Sequence, residues 1–452
     1  MTAKLYTLIG LCCLVFACKK TANAPEPTGP VTTTEINTWI LDNLKRYNYY
    51  SNQLVLSVDK NQDPKMYFTA IKSANDRFSY LELPDGNTSQ SISCRTKFGF
   101  DFVILREPTT NTLVGLVTLV MDSSFTSSIL QRGDYFTSIN NTTLTEQNSA
   151  QLAQSILSQN SFTLDMVKLQ NGKLVSTGSK TLVPRITPQQ MVKYGTFSEA
   201  GKKVGYLFLS GMVNDEVNYY VNAITSLKDQ GISELILDFR YNVGGDVSVA
   251  ATIASMLSSG IKANDIFVEY RGNTNMGIRK DSFSKAISLG NGPSFENLQS
   301  ANLNLSRVYI LTSPASASAA ELMIIGLKPY LSVVHIGETT RGKDEAAIRI
   351  SDERKTKRID YILHPIVYKV YNAQGLGNYA SGLLPKYEFK ELEHLPLGKF
   401  AFSDEPMIAN CLLRITGILP SGVALKTDAK VSTPIVYNSA RNLATTSNLV
   451  LN

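Results

Sequence analysis

A chain of 452 residues is long for one hydrophobic core, so several domains are expected. Hydrophobic residues make up 43% and charged residues 18%, ordinary for folded protein, which excludes global disorder and a fibrous architecture. The net charge of +6 is carried by scattered lysines and arginines with no basic stripe, so no nucleic-acid partner is expected.

Met1-Thr-Ala-Lys4 makes a short basic start to an apolar run from Leu5 to Ala17. The run falls short of the roughly 20 residues that span a bilayer, but it suits the core of a signal peptide. It ends Leu14-Val15-Phe16-Ala17-Cys18, and a small residue before a cysteine resembles the bacterial lipoprotein processing site. That resemblance implies a signal peptide over 1–17 and lipidation of Cys18. It also implies a place in the cell envelope, on the periplasmic side or the cell surface, with the membrane reached through the lipid alone. Plain secretory cleavage near Ala17 is the alternative. Cleavage removes Cys12 and Cys13, and with Cys18 lipidated only Cys94 and Cys411 remain as possible thiols; they form neither a disulfide framework nor a zinc spacing and are expected to be isolated and partly buried. With no histidine pair at ligand spacing and no phosphate loop, no metal or other cofactor is expected.

Residues 18–33, with Pro25, Pro27, Gly29 and Pro30, read as a flexible tether. From 34 to 87 the pattern is helical: Ile36, Trp39, Ile40 and Leu44, then Tyr67, Ile71 and Phe78, recur at helical steps. Trp39, the single tryptophan, is expected to anchor that core. From 88 to 186 short β-branched runs alternate with turns, as in Leu113 to Met121 and Phe162 to Leu169. The stretch Leu130-Gln-Arg-Gly133-Asp134-Tyr-Phe-Thr-Ser-Ile139-Asn140 resembles the PDZ domain. The resemblance implies that Phe98-Gly99-Phe100 is a carboxylate-holding loop and that a peptide end adds to a sheet edge. Between 187 and 395 strands and helices alternate, which argues for an α/β core. Residues 396–452 form a C-terminal extension with a Ser/Thr/Asn-rich end that is expected to fray. The run from Arg358 to Val370 alternates like a hairpin.

Three segments carry chemistry. Ser313-Pro-Ala-Ser316-Ala-Ser318-Ala-Ala-Glu321 follows an apolar strand and opens a helix, which exposes a serine beside an outward N–H. Gly337-Glu-Thr-Thr-Arg341-Gly342-Lys343 is a strand running into a glycine turn that ends in lysine. Asp238-Phe-Arg-Tyr-Asn242-Val-Gly244-Gly245 places a glycine pair after a buried strand, where backbone can approach a substrate. By themselves, Ser318 and Glu321 read as a capping box, Lys343 as a surface lysine, and Asp238 as a pairing or capping residue.

In this order the segments resemble the C-terminal processing (tail-specific) serine protease family over roughly 90–390, with Tyr379-Ala-Ser-Gly382-Leu-Leu-Pro385 similar to its closing segment. The resemblance implies a multidomain α/β protein. Its parts would be a helical N-terminal domain, a PDZ-like β-rich domain and a ClpP/crotonase-like peptidase core. It implies Ser318 as nucleophile, Lys343 as base, and Gly244, Gly245 and Ala319 as the oxyanion hole. The partners implied are unfolded or apolar-tailed polypeptides with exposed C-termini. Such a lysine must lose about 2 to 3 pKa units, through burial or a like charge such as Arg341. Asp344 and Glu345 are expected to face solvent. The chain departs from the family where Ala347 replaces a glutamine and Pro329 an aspartate. Those departures motivate an alternative, a catalytically silent peptide- or protein-binding lipoprotein on the same scaffold. His335, His364 and His394 carry no triad motif.

Overall fold

The computed structural model describes residues 29–85, 93–185, 190–423 and 434–440, and the backbone of 449–450. The expected signal peptide, Cys18, most of the expected tether and most of the Ser/Thr/Asn-rich end lie outside the described residues.

Helix α1 (Thr33–Tyr47) starts where Thr32 accepts a hydrogen bond from the Glu35 N–H, and α2 (Pro64–Ile71) starts where Asp63 caps a proline-led turn. Their inner faces bury Ile40, Leu41, Leu44, Tyr67, Phe68 and Ile71. Trp39 is only half-buried and packs at the rim of this cluster, so the expectation of a core anchor is corrected. Strand β1 (Tyr80–Glu82) pairs antiparallel with Ile362–His364, tying the helical unit to the core.

The next region builds a mostly antiparallel sheet. Helix α3 (Cys94–Phe98) leads into β2 (Phe100–Arg106), followed by β3 (Leu113–Val120), β4 (Tyr135–Ile139) and β5 (Thr142–Thr143). Helix α4 (Ser149–Ser155), β6 (Phe162–Gln170) and β7 (Lys173–Leu182) complete it. Asn140 and Asn141 take positive φ in the tight β4–β5 turn, a conformation asparagine tolerates. Phe98, Phe100, Phe102, Phe136, Ile139 and Leu164 fill the interior. Gly115 on β3 has no room for a side chain, since a Cβ there would lie 1.9 Å from Phe136.

The α/β core is built on a six-stranded sheet. β8 (Val192–Glu199) runs antiparallel to β9 (Lys202–Leu209). Helix α5 (Val217–Asp229) crosses over to β10 (Glu234–Asp238), and α6 (Val247–Ser255) follows. A second sheet then begins with β11 (Ile266–Arg271) and β12 (Ile278–Ser282), followed by short helices α7 (Phe283–Ile287) and α8 (Phe295–Leu298). The chain returns through β13 (Arg307–Thr312), α9 (Ala319–Leu327) and β14 (Ser332–Gly337). β9, β10, β13 and β14 are parallel neighbours, which requires the helical crossovers. Alternate residues divide between two faces. Leu207, Leu209, Leu235, Leu237, Val308 and Ile310 meet α5, α6 and α9, while Tyr206, Phe208, Ile236, Tyr309 and Leu311 point the other way.

Strand β15 (Glu345–Ala347) joins the second sheet, β16 (Ile362–His364) is the partner of β1, and β17 (Ile366–Tyr371) pairs with both β11 and β15. The expected hairpin over 358–370 is therefore corrected: its halves separate at Pro365 and pair with different sheets. β18 (Tyr387–Glu388) edges the six-stranded sheet. Helix α10 (Pro406–Thr416) covers the second face of the core with Met407, Ile408, Cys411 and Leu412. Finally β19 (Ile435–Asn438) pairs with β2, and β20 (Leu449–Val450) with β15. What read as an extension after 395 thus contributes a layer of the core and two edge strands. Cys94 and Cys411 are free thiols, both fully buried rather than partly so.

Candidate active site

Ser318 sits where β13 turns into α9, with φ 61° and ψ −116°. A non-glycine residue held there is strained by about 1–3 kcal/mol and persists only when its surroundings fix it. Three loops do so. Ser316 Oγ donates to Phe239 O at 2.7 Å, the Ala317 N–H to Asn242 O at 3.0 Å, and the Arg341 N–H to Ser316 O at 2.9 Å. Ser313 Oγ donates to Arg240 O. Under this junction Arg240, fully buried, bonds to Asp238, Glu391 Oε1 at 2.5 Å and Glu405 Oε1 at 2.7 Å. Asp238 therefore pairs, as its place at the end of a buried strand suggested.

Half of the expected capping box is made, with Glu321 Oε2 accepting from the Ser318 N–H at 2.8 Å. Ser318 Oγ, however, is buried and makes no hydrogen bond. Glu321 does more than cap. It also accepts from Thr340 Oγ1 at 2.5 Å, the Gly342 N–H at 2.7 Å and the Lys343 N–H at 2.8 Å. One carboxylate thus joins the serine turn to the lysine turn. Burial pushes the Glu321 carboxyl up, against the pull of these donors.

Lys343 is fully buried, and its Nζ lies 4.7 Å from the centre of the Phe78 ring. Burial pushes its amine down from 10.5 to about 7; Glu345 and Glu321 oppose the fall, and Arg341 and Arg77 add to it. Desolvation outweighs the carboxylates here. Arg77 and Phe78 come from the helical unit, and Arg77 Nη2 donates to Gly342 O at 2.6 Å. The part of the N-terminal unit in covering the lysine was not legible in the sequence.

Asp344 and Glu345 were expected to face solvent; both are buried and salt-bridged to Lys369 Nζ, at 2.7 and 2.6 Å. Tyr50 donates to Glu345 Oε1 at 2.5 Å, while Glu345 Oε2 makes no hydrogen bond. Ala347 packs among Tyr50, Phe78 and Ile366, so the glutamine position holds apolar contacts. Pro329 lies half-exposed just after α9.

Gly244 and Gly245 have φ of 103° and 138°, and no side chain fits at either. A Cβ on Gly244 would stand 2.5 Å from Ser318 Cβ, and one on Gly245 1.9 Å from Met212 O. The glycine pair therefore lies directly against the serine. The Gly244 N–H already donates to Asn242 Oδ1 at 2.8 Å, which removes it from the expected oxyanion set. Ala319 is the first residue of α9, where helical geometry gives its N–H no partner inside the helix. The Tyr379 segment packs on the lysine turn, its Leu383 N–H donating to Thr340 Oγ1 at 2.8 Å.

Elsewhere, Gly99 is the left-handed C-cap of α3, and its N–H donates to Arg95 O at 2.9 Å. Phe98 and Phe100 are buried in the sheet interior. The Gly99 amide is thus committed within the helix cap and is not presented to a carboxylate. His335 bonds to Thr312 Oγ1 at 2.7 Å, with burial pushing it down to about 4. His364 stacks on Tyr80 and bonds to Glu82, and His394 stacks on Phe389. A cleft lined by Glu35, Trp39, Ile350 and Arg358 includes neither Ser318 nor Lys343.

Residues 203–353, about a third of the chain, match the model of peptidase family S41. The chain is 23% identical over 282 residues to the chloroplastic carboxyl-terminal-processing peptidase 1 of Arabidopsis thaliana, covering 60% of this chain and 52% of that protein. It is 28% identical over 171 residues to a probable CtpA-like serine protease of Staphylococcus aureus, covering 37% of this chain and 31% of that one. The matches therefore span between a third and about half of these relatives' lengths. Among solved structures, a putative S41 protease from Bacteroides fragilis superposes with a TM-score of 0.67 at 24% identity, over 88% of this chain and all of that one. That likeness is one of fold.

Proposed function

We propose, from the premise that residues 203–353 form a peptidase family S41 domain, that the chain is a serine endopeptidase with Ser318 as nucleophile and Lys343 as general base. The observation that carries this reading is the buried Lys343 amine, held near neutrality and joined through Glu321 to a strained serine. Ser318 Oγ attacks the peptide carbonyl carbon while its proton passes to the neutral Lys343 Nζ. The carbonyl oxygen gains the negative charge, and the Gly245 and Ala319 N–H groups are the candidates to receive it. Collapse breaks the C–N bond, and Lys343 returns the proton to the departing amine. Water, deprotonated by the same amine, then releases the acyl group from Ser318.

The substrate class proposed is unfolded polypeptide with an apolar tail, engaged in extended form by the PDZ-like sheet. Its support is that β2 carries a short, separately supplied segment, β19, as an added antiparallel strand, the form in which an extended chain would bind. Anchoring through a lipid on Cys18 is likewise proposed, on the Ala17-Cys18 junction alone. Digestion of an unfolded protein by a soluble chain beginning at residue 34, followed by mass spectrometry, tests the reading. Fragments absent from the Ser318→Ala control are expected, and identical digests would refute it.

A second reading, a silent polypeptide-binding protein, is favoured by one observation: Ser318 and Lys343 are both 0% exposed. The same digestion separates the two.

A further inference from the structure

Strand β2 is flanked on one side by β3 along its whole length. On the other side lies β19, which comes from residues 435–438, more than three hundred positions away. The β19 ladder is short: Ile435, Tyr437 and Asn438 stand opposite Leu105, Ile104 and Val103, with an irregularity between Ile435 and Tyr437. Ser439 then brackets Phe102, accepting from its N–H at 2.9 Å through Oγ and donating its own N–H to the Phe102 carbonyl at 3.0 Å. On its other side β19 packs against α4. The segment thus lies in a groove between an edge strand and a helix, as an added antiparallel strand.

The two neighbours of β2 are held differently. β3 is buried at nearly every residue, whereas Ile435 is 41% exposed and Val436, Tyr437 and Asn438 are half-buried. Val436 and Tyr437 touch the phenylalanine-rich interior from outside, with the Tyr437 ring 5.7 Å from that of Phe102, but they supply none of its fully buried members. Removing β19 would leave that interior filled and would bare the N–H and C=O groups along one edge of β2, a template for any extended chain.

We infer that residues 434–440 are a built-in, displaceable occupant of the β2–α4 groove, and that extended polypeptides bind this chain by competing with them. Affinity in such a groove comes mainly from main-chain hydrogen bonds, so another strand with a small polar residue opposite Phe102 reproduces most of what β19 offers. The backbone of Leu449–Val450 pairs with Ala346–Ala347 on β15, close after Lys343. Leu449–Val450 therefore provide a strand next to the segment that follows the candidate catalytic lysine. The inference rests on the proposed reading only for the purpose of the groove; the binding it predicts does not depend on catalysis.

The test uses the full chain carrying Ser318→Ala and a fluorescent synthetic peptide with the sequence of residues 434–440. Anisotropy should show binding at least tenfold tighter when Ser439→Pro is added, because proline removes both hydrogen bonds to Phe102. Equal affinity with and without Ser439→Pro, or no binding to either, would overturn the inference and make β19 a fixed strand. If Ser439→Pro fails to fold, hydrogen exchange on the Ser318→Ala chain decides instead. Excess peptide should accelerate exchange of the Ser439 amide while β3 amides stay protected. An unchanged Ser439 rate would overturn the inference. Failure of the endopeptidase reading would appear only in the digestion experiment and would leave these binding results standing.

Discussion

Lys343 offers the sharpest perturbation, because under the proposed mechanism its charge state governs both rate and stability. A fall from 10.5 to about 7 favours the neutral amine by about 5 kcal/mol relative to an exposed lysine. Hydrolysis of an unfolded polypeptide should therefore lose about tenfold in kcat/KM for each pH unit below 7 and level off above about 8. Stability follows with a definite sign. Between pH 7 and 10.5 the unfolded chain holds a proton that the folded chain lacks, so stability rises with pH through that window. Lys343→Met removes this dependence. At pH 7 it should stabilise the fold by up to about 4 kcal/mol, less whatever the loss of the Phe78 contact costs, while abolishing cleavage. Glu338, pushed up to about 7 by burial, also titrates near neutrality, so Glu338→Gln serves as the control and should leave the acid limb of the rate profile unchanged. A rate that is flat from pH 5 to 9, or a Lys343→Met chain with the stability profile of the parent, would refute the reasoning.

Further outcomes follow from the same geometry. Phe78→Ala admits water to the amine, so the acid limb of the rate profile should move to higher pH, as read by the same assay. Glu321→Gln takes a negative charge from beside Lys343 and should move that limb the other way, while lowering stability by about 1–3 kcal/mol in chemical denaturation. Gly244→Ala places a Cβ against Ser318 and should cut kcat about 100-fold or more with the fold retained by circular dichroism. Arg240→Met strands Asp238 without a cation, leaves Glu391 and Glu405 to Arg132 alone, and should cost about 3–5 kcal/mol in thermal unfolding.

The local geometry of the candidate site was readable because it depends on neighbouring residues. A strand, a small-residue turn and a helix start put Ser318 in a constrained junction, and glycines at 244 and 245 announce a backbone approach that no side chain permits. What the sequence concealed is non-local. Arg77 looks like an ordinary loop residue and Phe78 like the last of a helical apolar series, yet the helix ends at Ile71, and Phe78 and Arg77 reach the lysine turn from a bend whose unit is tied to the core by the pairing of β1 with β16. Asp344 and Glu345 read as surface acids because their partners, Lys369 and Tyr50, are remote in sequence. Helix α10 carries its own apolar stripe, yet nothing local says that the stripe covers the second face of the core sheet. A four-residue strand such as β19 has too few positions for a period to emerge, and its place beside β2 is set by hydrogen bonds rather than by hydrophobic pattern. Glu321 was visible as a cap, but its bonds to Thr340, Gly342 and Lys343 depend on two turns meeting in space.

The central claim, a serine nucleophile served by a buried neutral lysine, is tested most directly by cleavage of one unfolded polypeptide at pH 8. The comparison is between the parent chain, Ser318→Ala and Lys343→Ala, each with its fold checked by circular dichroism. The account predicts cleavage by the parent and none above background for either variant. Cleavage that survives Lys343→Ala in a folded chain, or a folded parent that cuts nothing, would contradict it.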